Sequence, residues 1–244
     1  MIGVFDSGIG GVTILKELVK DYPNLDYYYY SDSSHNPYGE KTEEEIKIIT
    51  KNIVEFLIQK GCKIIVIACN TASTIAVEYL RNQFPNTSFI ATVPAIKVAY
   101  DKYPNTKTLV MATSGTFHSE LWKSLYHSYH NPDTEILFCN GLAHLIEEEN
   151  YDKIREYLKQ YLTPYQGYET IVLGCTHFPI IKEEITNVLG HVHFCESKEG
   201  ISKRLGILLQ RFHIKQENHK GNIIFYDSSH AKQKEERFSN LLNK

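Results

Sequence analysis

The sequence predicts an α/β fold with two pseudo-symmetric α/β domains, mainly parallel sheets, and an active site in the cleft between the domains. Short apolar runs alternate with amphipathic helical stretches along the 244 residues, a pattern typical of parallel α/β units. Two apolar runs lead into cysteines at positions 69 and 175, and two others lead into Ser-Gly at positions 7 and 114. The separation between the two cysteines nearly equals that between the two serines, which indicates an internal duplication.

Nine short apolar runs, bounded by turn residues, are expected to form strands. They are Ile2–Phe5, Asp26–Tyr30, Ile64–Ala68, Ser88–Ala91, Thr108–Ala112, Glu135–Phe138, Thr170–Leu173, Val192–Phe194 and Asn222–Tyr226. Helical patterns separate most of them. A chain of this length suits one large domain or two small ones. We expect a first domain at 1–95 that regains the segment from about 207 to 244, and a second domain at 96–206.

The clearest helix pattern runs from Thr42 to Lys60. Thr42 and Glu45 fit a capping box, and Gly61 supplies a stop. Apolar residues recur between them at the helical period, which predicts one buried face. They are Ile46, Ile49, Ile53, Phe56 and Leu57.

Composition and charge argue against several classes of protein. The net charge is −3 and the chain has no basic stripe, so nucleic-acid binding is not expected. No apolar run reaches the roughly 18 residues of a membrane helix, and Ile2–Phe5 resembles a strand rather than a secretory signal. The stretch Lys215 to Lys244 mixes basic, His and acidic residues, and we expect it to be solvated surface.

The five cysteines are odd in number and scattered in spacing. This pattern argues against a disulfide framework and favours a reducing cytoplasm. The chain has neither a CxxC pair nor ordinary zinc-ligand spacing, so no metal site is expected. Cys62, Cys139 and Cys195 lack a suggestive context and are expected to be structural.

Cys69 and Cys175 lie where ligands gather in α/β folds, at the carboxyl ends of predicted strands. If the halves are related by a pseudo-twofold axis, the two thiols face each other across the cleft. Opposed acid/base groups of this kind can take a proton from one face of a carbon and return one to the other. His177 and Asp6 are nearby candidates for proton partners.

Both thiols are expected near helix N-termini, where the helix dipole favours a thiolate. Asn70 and Thr71 are good N-cap residues before a helix predicted at Ala72–Arg81, and Pro179 suits a first helical position. Backbone N–H groups of the loop 6–11 and the turn 36–39 are expected to bind a carboxylate. The loop also resembles half a dinucleotide fingerprint, although a lone glycine cluster is a weak signal.

Four segments together resemble the motifs of the glutamate racemase family, in the family's order and at similar separations, from residue 2 to about 180. They are Phe5-Asp6-Ser7-Gly8 with Gly10-Gly11, Pro37-Tyr38-Gly39-Glu40-Lys41, Ala68-Cys69-Asn70-Thr71-Ala72, and Leu173-Gly174-Cys175-Thr176-His177-Phe178-Pro179. The resemblance implies two α/β domains around the site, a glutamate substrate, no cofactor, a homodimer, and supply of D-glutamate for peptidoglycan.

By this resemblance, Cys69 deprotonates D-glutamate with help from Asp6, and Cys175 deprotonates L-glutamate with help from His177. Asp32 and Glu147 match acidic positions that the family keeps near the site. The candidate substrate-binding residues are Asp6, Ser7, Pro37, Tyr38, Gly39, Asn70, Thr71, Thr113, Thr116, Thr176 and His177.

Departures from the family pattern leave substrate and oligomer contacts open. Residues 33–36 read Ser-Ser-His-Asn where a Thr-Ala-Arg type of sequence is expected, and residues 139–144 are unusually polar. Aspartate or another amino acid is therefore an alternative substrate. A low-activity binding protein on this scaffold is a second alternative, and a cysteine hydrolase with Cys175 as nucleophile is a third. Glu147–Glu149 could also be a solvated helix face.

Overall fold

The computed structural model describes residues 1–214 and 219–243. Residues 215–218 and 244, which belong to the predicted solvated stretch and to the predicted first domain, lie outside the described residues. All nine predicted strands form, with ends that differ from the expected ones by at most about one residue. They make two separate parallel sheets.

The first sheet contains five strands in the order β4-β3-β1-β2-β9. They are β1 (Ile2–Asp6), β2 (Tyr27–Ser31), β3 (Ile64–Ile67), β4 (Ser88–Ala91) and β9 (Ile223–Asp227). The strand β1 is central and fully buried because helices cover both faces of the sheet.

The second sheet contains four strands in the order β6-β5-β7-β8. They are β5 (Thr108–Ala112), β6 (Thr134–Phe138), β7 (Thr170–Leu173) and β8 (His193–Cys195). The run β2-β1-β3-β4 of the first sheet corresponds to β6-β5-β7-β8 of the second, strand for strand and in chain order. The predicted two-part α/β architecture is thus confirmed, with β9 as an extra edge strand on the first sheet.

Eleven α-helices lie between or after the strands within the described residues. They are α1 (Val12–Asp21), α2 (Glu43–Gln59), α3 (Asn70–Gln83), α4 (Ile96–Lys102), α5 (Ser114–His118), α6 (Glu120–Tyr129), α7 (Leu142–Glu147), α8 (Tyr151–Leu162), α9 (Lys182–Leu189), α10 (Lys198–Arg211) and α11 (Lys232–Asn243). Buried apolar side chains from between Ile2 and Leu209, together with Phe238, form four clusters. One cluster lies on each face of each sheet.

The predicted capping box of α2 is confirmed. The Thr42 hydroxyl accepts from the Glu45 N–H, and the Glu45 carboxylate accepts from the Thr42 N–H at 2.8 Å. The apolar face of α2 packs on the first sheet through Ile46, Ile53 and Leu57. The box thereby fixes the start of the helix just after the turn at Tyr38–Glu40.

The helix α10 runs across the expected domain boundary at 206. Its Ile201 and Leu205 pack with α1 in the core of the first sheet. The proposed boundaries, 1–95 with about 207–244 and 96–206, remain a prediction. In the part of the chain that the structure describes, we find no helix both long and apolar enough to span a membrane.

Candidate active site

A cleft lies at the carboxyl ends of strands from both sheets. Eleven of the residues expected at the site line it. They are Ser7, Pro37, Tyr38, Gly39, Cys69, Asn70, Thr71, Thr113, Cys175, Thr176 and His177. The predicted residues that do not line the cleft are the three carboxylates Asp6, Asp32 and Glu147, and Thr116, which is fully buried.

Cys69 follows β3 and caps α3 with its own side chain. Its Sγ accepts from the Ala72 N–H at 3.5 Å and lies 3.7 Å from the Ser7 hydroxyl. The helix begins at Asn70, two residues earlier than predicted, because the thiol takes the N-cap position assigned to Asn70 or Thr71. Burial raises the pKa of the Cys69 thiol and nearby Asp6 raises it further, and together they outweigh the lowering effect of the Ala72 N–H at the helix N-terminus.

Cys175 follows β7 and is half-exposed, and its Sγ lies 3.6 Å from His177 Nδ1. The expected α-helix N-terminus is missing here. A 3₁₀ turn at Phe178–Ile181 comes first, and α9 begins only at Lys182. Because a single 3₁₀ turn aligns few peptide dipoles, the imidazole is the main polar partner of Cys175.

His177 and Glu147 form a buried pair behind Cys175. The Nε2 of His177 lies 2.7 Å from Glu147 Oε1, and the two side chains are 1% and 6% exposed. Burial alone would lower the pKa of His177, but hydrogen bonds to Cys175 and Glu147 hold it well above its usual value. Burial would raise the pKa of Glu147, but His177 and Lys234 hold it far below its usual range. Glu147 is therefore not part of a solvated helix face.

Asp6 lies behind the cleft and joins the two halves of the molecule. Its Oδ2 accepts from the Gly11 N–H at 3.0 Å, and its Oδ1 accepts from the Thr176 hydroxyl at 3.2 Å. Burial raises the pKa of Asp6, although His177 and the Gly11 N–H oppose this shift. The carboxyl is thus placed within the electrostatic reach of both Cys69 and His177.

Asp32 supports Tyr38 rather than the cleft itself. The Tyr38 hydroxyl donates to Asp32 Oδ2 at 2.6 Å, and His35 Nδ1 lies 2.9 Å from Asp32 Oδ1. His35 belongs to the segment that departs from the family pattern. The structure places it behind the lining turn, where it holds Asp32.

Three threonine hydroxyls bridge the two halves of the molecule. Thr71 Oγ1 lies 3.0 Å from that of Thr113 and 3.3 Å from that of Thr116. Thr116 thus acts from behind the lining, by holding Thr71 and Thr113. Sequence reasoning assigned it to direct contact because its burial cannot be derived from a local pattern.

Several residues at the site were not predicted as functional. Glu40, Asn140, Gly141, Ala143, His144 and Gly174 line the cleft, together with Asn36 of the turn 36–39 that was expected to bind a carboxylate through its backbone. Asn140 follows β6, so the rule that sites gather at strand ends could have indicated it. Lys234 pairs with Glu147, and the Arg237 guanidinium donates to the Glu147 carbonyl at 2.6 Å. Both lie on α11, where mostly solvated surface was expected.

The arrangement suits proton transfer, because two thiols share one cleft, with His177 beside Cys175 and Asp6 within electrostatic reach of Cys69. Within residues 1–214 and 219–243, no cluster of three His, Cys, Asp or Glu side chains could hold a metal ion. Fold and site together define an α/β protein with two parallel sheets and a cleft that holds one cysteine from each half.

Comparison with known proteins identifies the family. The profile described as Asp/Glu/Hydantoin racemase matches residues 7–197. The chain is 38% identical over 234 residues to a glutamate racemase from Clostridium perfringens, covering 93% of this chain and 90% of that protein. This chain belongs to the Asp/Glu/hydantoin racemase family of isomerases.

Solved structures agree with this assignment. A glutamate racemase isoform from Bacillus anthracis superposes with a TM-score of 0.87 at 28% identity, covering 100% of this chain and 94% of that chain. A glutamate racemase from Francisella tularensis, solved in complex with D-glutamate, superposes with a TM-score of 0.83 at 30% identity. The match covers 100% of this chain and 93% of that chain. The resemblance predicted from the four motifs is confirmed.

Proposed function

We propose that this protein interconverts L- and D-glutamate without a cofactor, using Cys69 and Cys175 as opposed acid and base. The observation that carries the proposal is the equivalence of the two thiols. They follow the corresponding strands β3 and β7 of the two sheets and line the same cleft. The similar proteins named glutamate racemase, one of them solved with D-glutamate, support glutamate as the substrate.

In the proposed reaction, one cysteine acts as a thiolate and removes the Cα proton. The other cysteine, as a thiol, donates its proton to the opposite face of the same carbon. The thiolate and the thiol have then exchanged states, so the protein is set for the reverse reaction. By family resemblance, Cys69 takes the proton of D-glutamate and Cys175 takes that of L-glutamate.

Asp6 and His177 would assist these transfers. His177 Nδ1 lies 3.6 Å from Cys175 Sγ, close enough to exchange a proton with it as the substrate binds and the site tightens. Asp6 is buried between the halves and acts electrostatically on Cys69. Because burial raises the pKa of both Asp6 and Cys69, and a charge on Asp6 raises that of Cys69 further, ionisation of both groups at once is disfavoured.

The polar groups of the cleft suit an amino dicarboxylic acid. The hydroxyls of Ser7, Thr71 and Thr113 can donate to carboxylates. Asn36 and Asn70 also line the cleft, and a buried Oδ1 of each has no hydrogen-bond partner among the described residues. A substrate ammonium would satisfy such an acceptor, whose burial otherwise carries a desolvation cost.

The substrate test is proton NMR of the reduced protein in D₂O with L-glutamate and, in parallel, L-aspartate. The proposal predicts loss of the glutamate Cα proton together with formation of D-glutamate, and slower change of aspartate. Added pyridoxal phosphate or chelator should have no effect. Faster turnover of aspartate would replace the proposed substrate, and exchange of neither would favour a binding protein.

The variants Cys69→Ser and Cys175→Ser separate racemisation from the hydrolase alternative. Each should abolish racemisation in both directions, because each direction needs both groups. The matched control is Cys62→Ser, which changes a buried thiol that does not line the cleft. A hydrolase with Cys175 as nucleophile should survive the loss of Cys69.

We further propose a role in supplying D-glutamate for peptidoglycan, in the cytoplasm, as a homodimer. The described cysteines are all free, and thiols that act as acid and base require a reducing compartment. Light scattering after size-exclusion chromatography tests the dimer. A monomer at working concentrations would contradict it.

A further inference from the structure

The carboxylate of Glu147 connects the C-terminal helix with the site. Its Oε1 accepts from the Ile9 N–H at 2.6 Å and pairs with His177 Nε2, while its Oε2 pairs with Lys234 on α11. Lys234 does not line the cleft and reaches Glu147 from behind. A positive charge from the C-terminal helix is therefore two contacts away from His177 and three from Cys175.

Neighbouring contacts fix α11 in this place. The buried Arg237 donates to the carbonyls of Glu147 and Ile146 at 2.6 Å each, and its NH1 lies 3.8 Å from Glu147 Oε2. Phe238 packs on Tyr29 with ring centroids 5.4 Å apart, and the Tyr29 hydroxyl donates to the Gly8 carbonyl at 2.8 Å. The helix is thus held against the loop that also binds Glu147.

We propose that Lys234 is a positioning residue that acts through Glu147 to limit the proton affinity of the Cys175–His177 pair. This inference rests on the proposed function only in assigning that pair to proton transfer. The charged groups that face His177 are Cys175, Glu147 and Asp6. Glu147 also faces Lys234 and Arg237.

The sign of the effect follows from this charge arrangement. With Lys234 absent, the negative charge of Glu147 acts on His177 with less compensation. Every proton of the Cys175–His177 pair is then bound more tightly. Both ionisation steps of the pair, which belong to the pair and not to either residue, therefore move to higher pH.

The test compares Lys234→Gln, Lys234→Arg and wild type. Alkylation of Cys175 by iodoacetamide is followed against pH by mass spectrometry of the peptide that contains it. Separate, unalkylated samples of the same proteins give the His177 titration by NMR of ¹⁵N-labelled histidine. We expect the Gln variant to shift the alkylation profile to higher pH by about one unit. The shift is modest because Lys234 acts on His177 through Glu147 and not by direct contact. The Arg variant keeps the charge and should keep the wild-type profile.

Lys232→Gln is the matched control, because Lys232 is exposed on the same helix and its loss should leave the profile unchanged. Thermal unfolding checks that each variant is folded. An unchanged profile in folded Lys234→Gln, or an equal shift in Lys234→Arg, would overturn the proposal. Alkylation and NMR require no turnover, so the shift is measurable even if the protein fails to racemise glutamate. If it does racemise glutamate, kcat/KM of Lys234→Gln should fall about tenfold, with KM changing less than kcat.

Discussion

At the residue scale, Glu147 shows how one buried side chain can join distant parts of the chain. It bonds to the loop after β1, to the histidine after β7 and to the C-terminal helix. A buried carboxylate is tolerated only when it is paired and hydrogen-bonded, and these three partners meet that need. The close approach of the loop also restricts its residues. A Cβ at Gly8 would lie 1.9 Å from Glu147 Oε1.

The variant Gly8→Ala should therefore lose both stability and activity. The carboxylate cannot move aside without breaking bonds to Ile9 and His177, so we expect a loss of about 1–3 kcal/mol in the free energy of unfolding. We expect kcat/KM to fall at least tenfold. Urea unfolding and initial rates measure the two effects. Gly200→Ala is the control, since nothing lies within 4 Å of its Cβ position on α10. Equal behaviour of the two variants would show that the loop has room to adjust.

At the scale of secondary-structure elements, strands and the helix α2 could be predicted because apolar periodicity and capping are local properties. Strand ends shifted by about one residue, as in Val192–Phe194 against the observed His193–Cys195, because hydrogen-bond partners and not apolar content set the ends. The start of α3 was missed because Cys69 takes the N-cap position that polar residues usually hold.

The role of α11 could not be predicted, for a physical reason. Lys234 pairs with a residue 87 positions away, and no local pattern encodes such a partner. The sequence of α11 is polar on most sides of the helix, which is typical of a solvated helix. The cysteines and their partners were indicated because they follow strands directly, and strand order then brings them to one cleft.

The capping box of α2 gives a prediction at this scale. Thr42→Ala removes the side-chain acceptor for the Glu45 N–H and should lower the free energy of unfolding by about 1 kcal/mol. Glu45→Ala should lose a similar amount, and the double variant should lose less than the sum because the two groups bond each other. Urea unfolding of the three variants checks this. Strictly additive losses would contradict the reciprocal box.

At the scale of the whole molecule, the site exists only when both sheets are in place. Cys69 and Asp6 come from the first sheet, whereas Cys175 and His177 come from the second. The hydrogen bond from Thr176 to Asp6 and the contact between Thr71 and Thr113 cross between the halves. Stability of the fold and the chemistry of the cleft therefore depend on the same buried polar groups.

The His177–Glu147 pair predicts a pH dependence of stability. The pKa of His177 is raised above 6.5, so its contribution is complete below pH 6.5 and is lost as pH rises toward the folded-state pKa. The pKa of Glu147 is lowered from 4.5, so its contribution is present above pH 4.5 and is lost as pH falls. Stability carried by this pair should be greatest between these values.

Urea unfolding against pH measures this effect. In wild type, the free energy of unfolding should fall above pH 6.5 by up to about 1.4 kcal/mol per pH unit, the limit for one proton. His177→Asn cannot bind that proton and should lose this slope. Parallel curves for wild type and variant above pH 6.5 would show that the pair does not carry the effect.

The most direct test of the paired-cysteine account uses Cys69→Ala and Cys175→Ala in D₂O, each with pure L- and pure D-glutamate. Each variant keeps one base, so neither should form the opposite enantiomer. Cys175→Ala should slowly replace the Cα proton of D-glutamate only, and Cys69→Ala that of L-glutamate only, with configuration retained. Inversion by either variant, or exchange of the same enantiomer by both, would contradict the assignment of one cysteine to each face of the substrate.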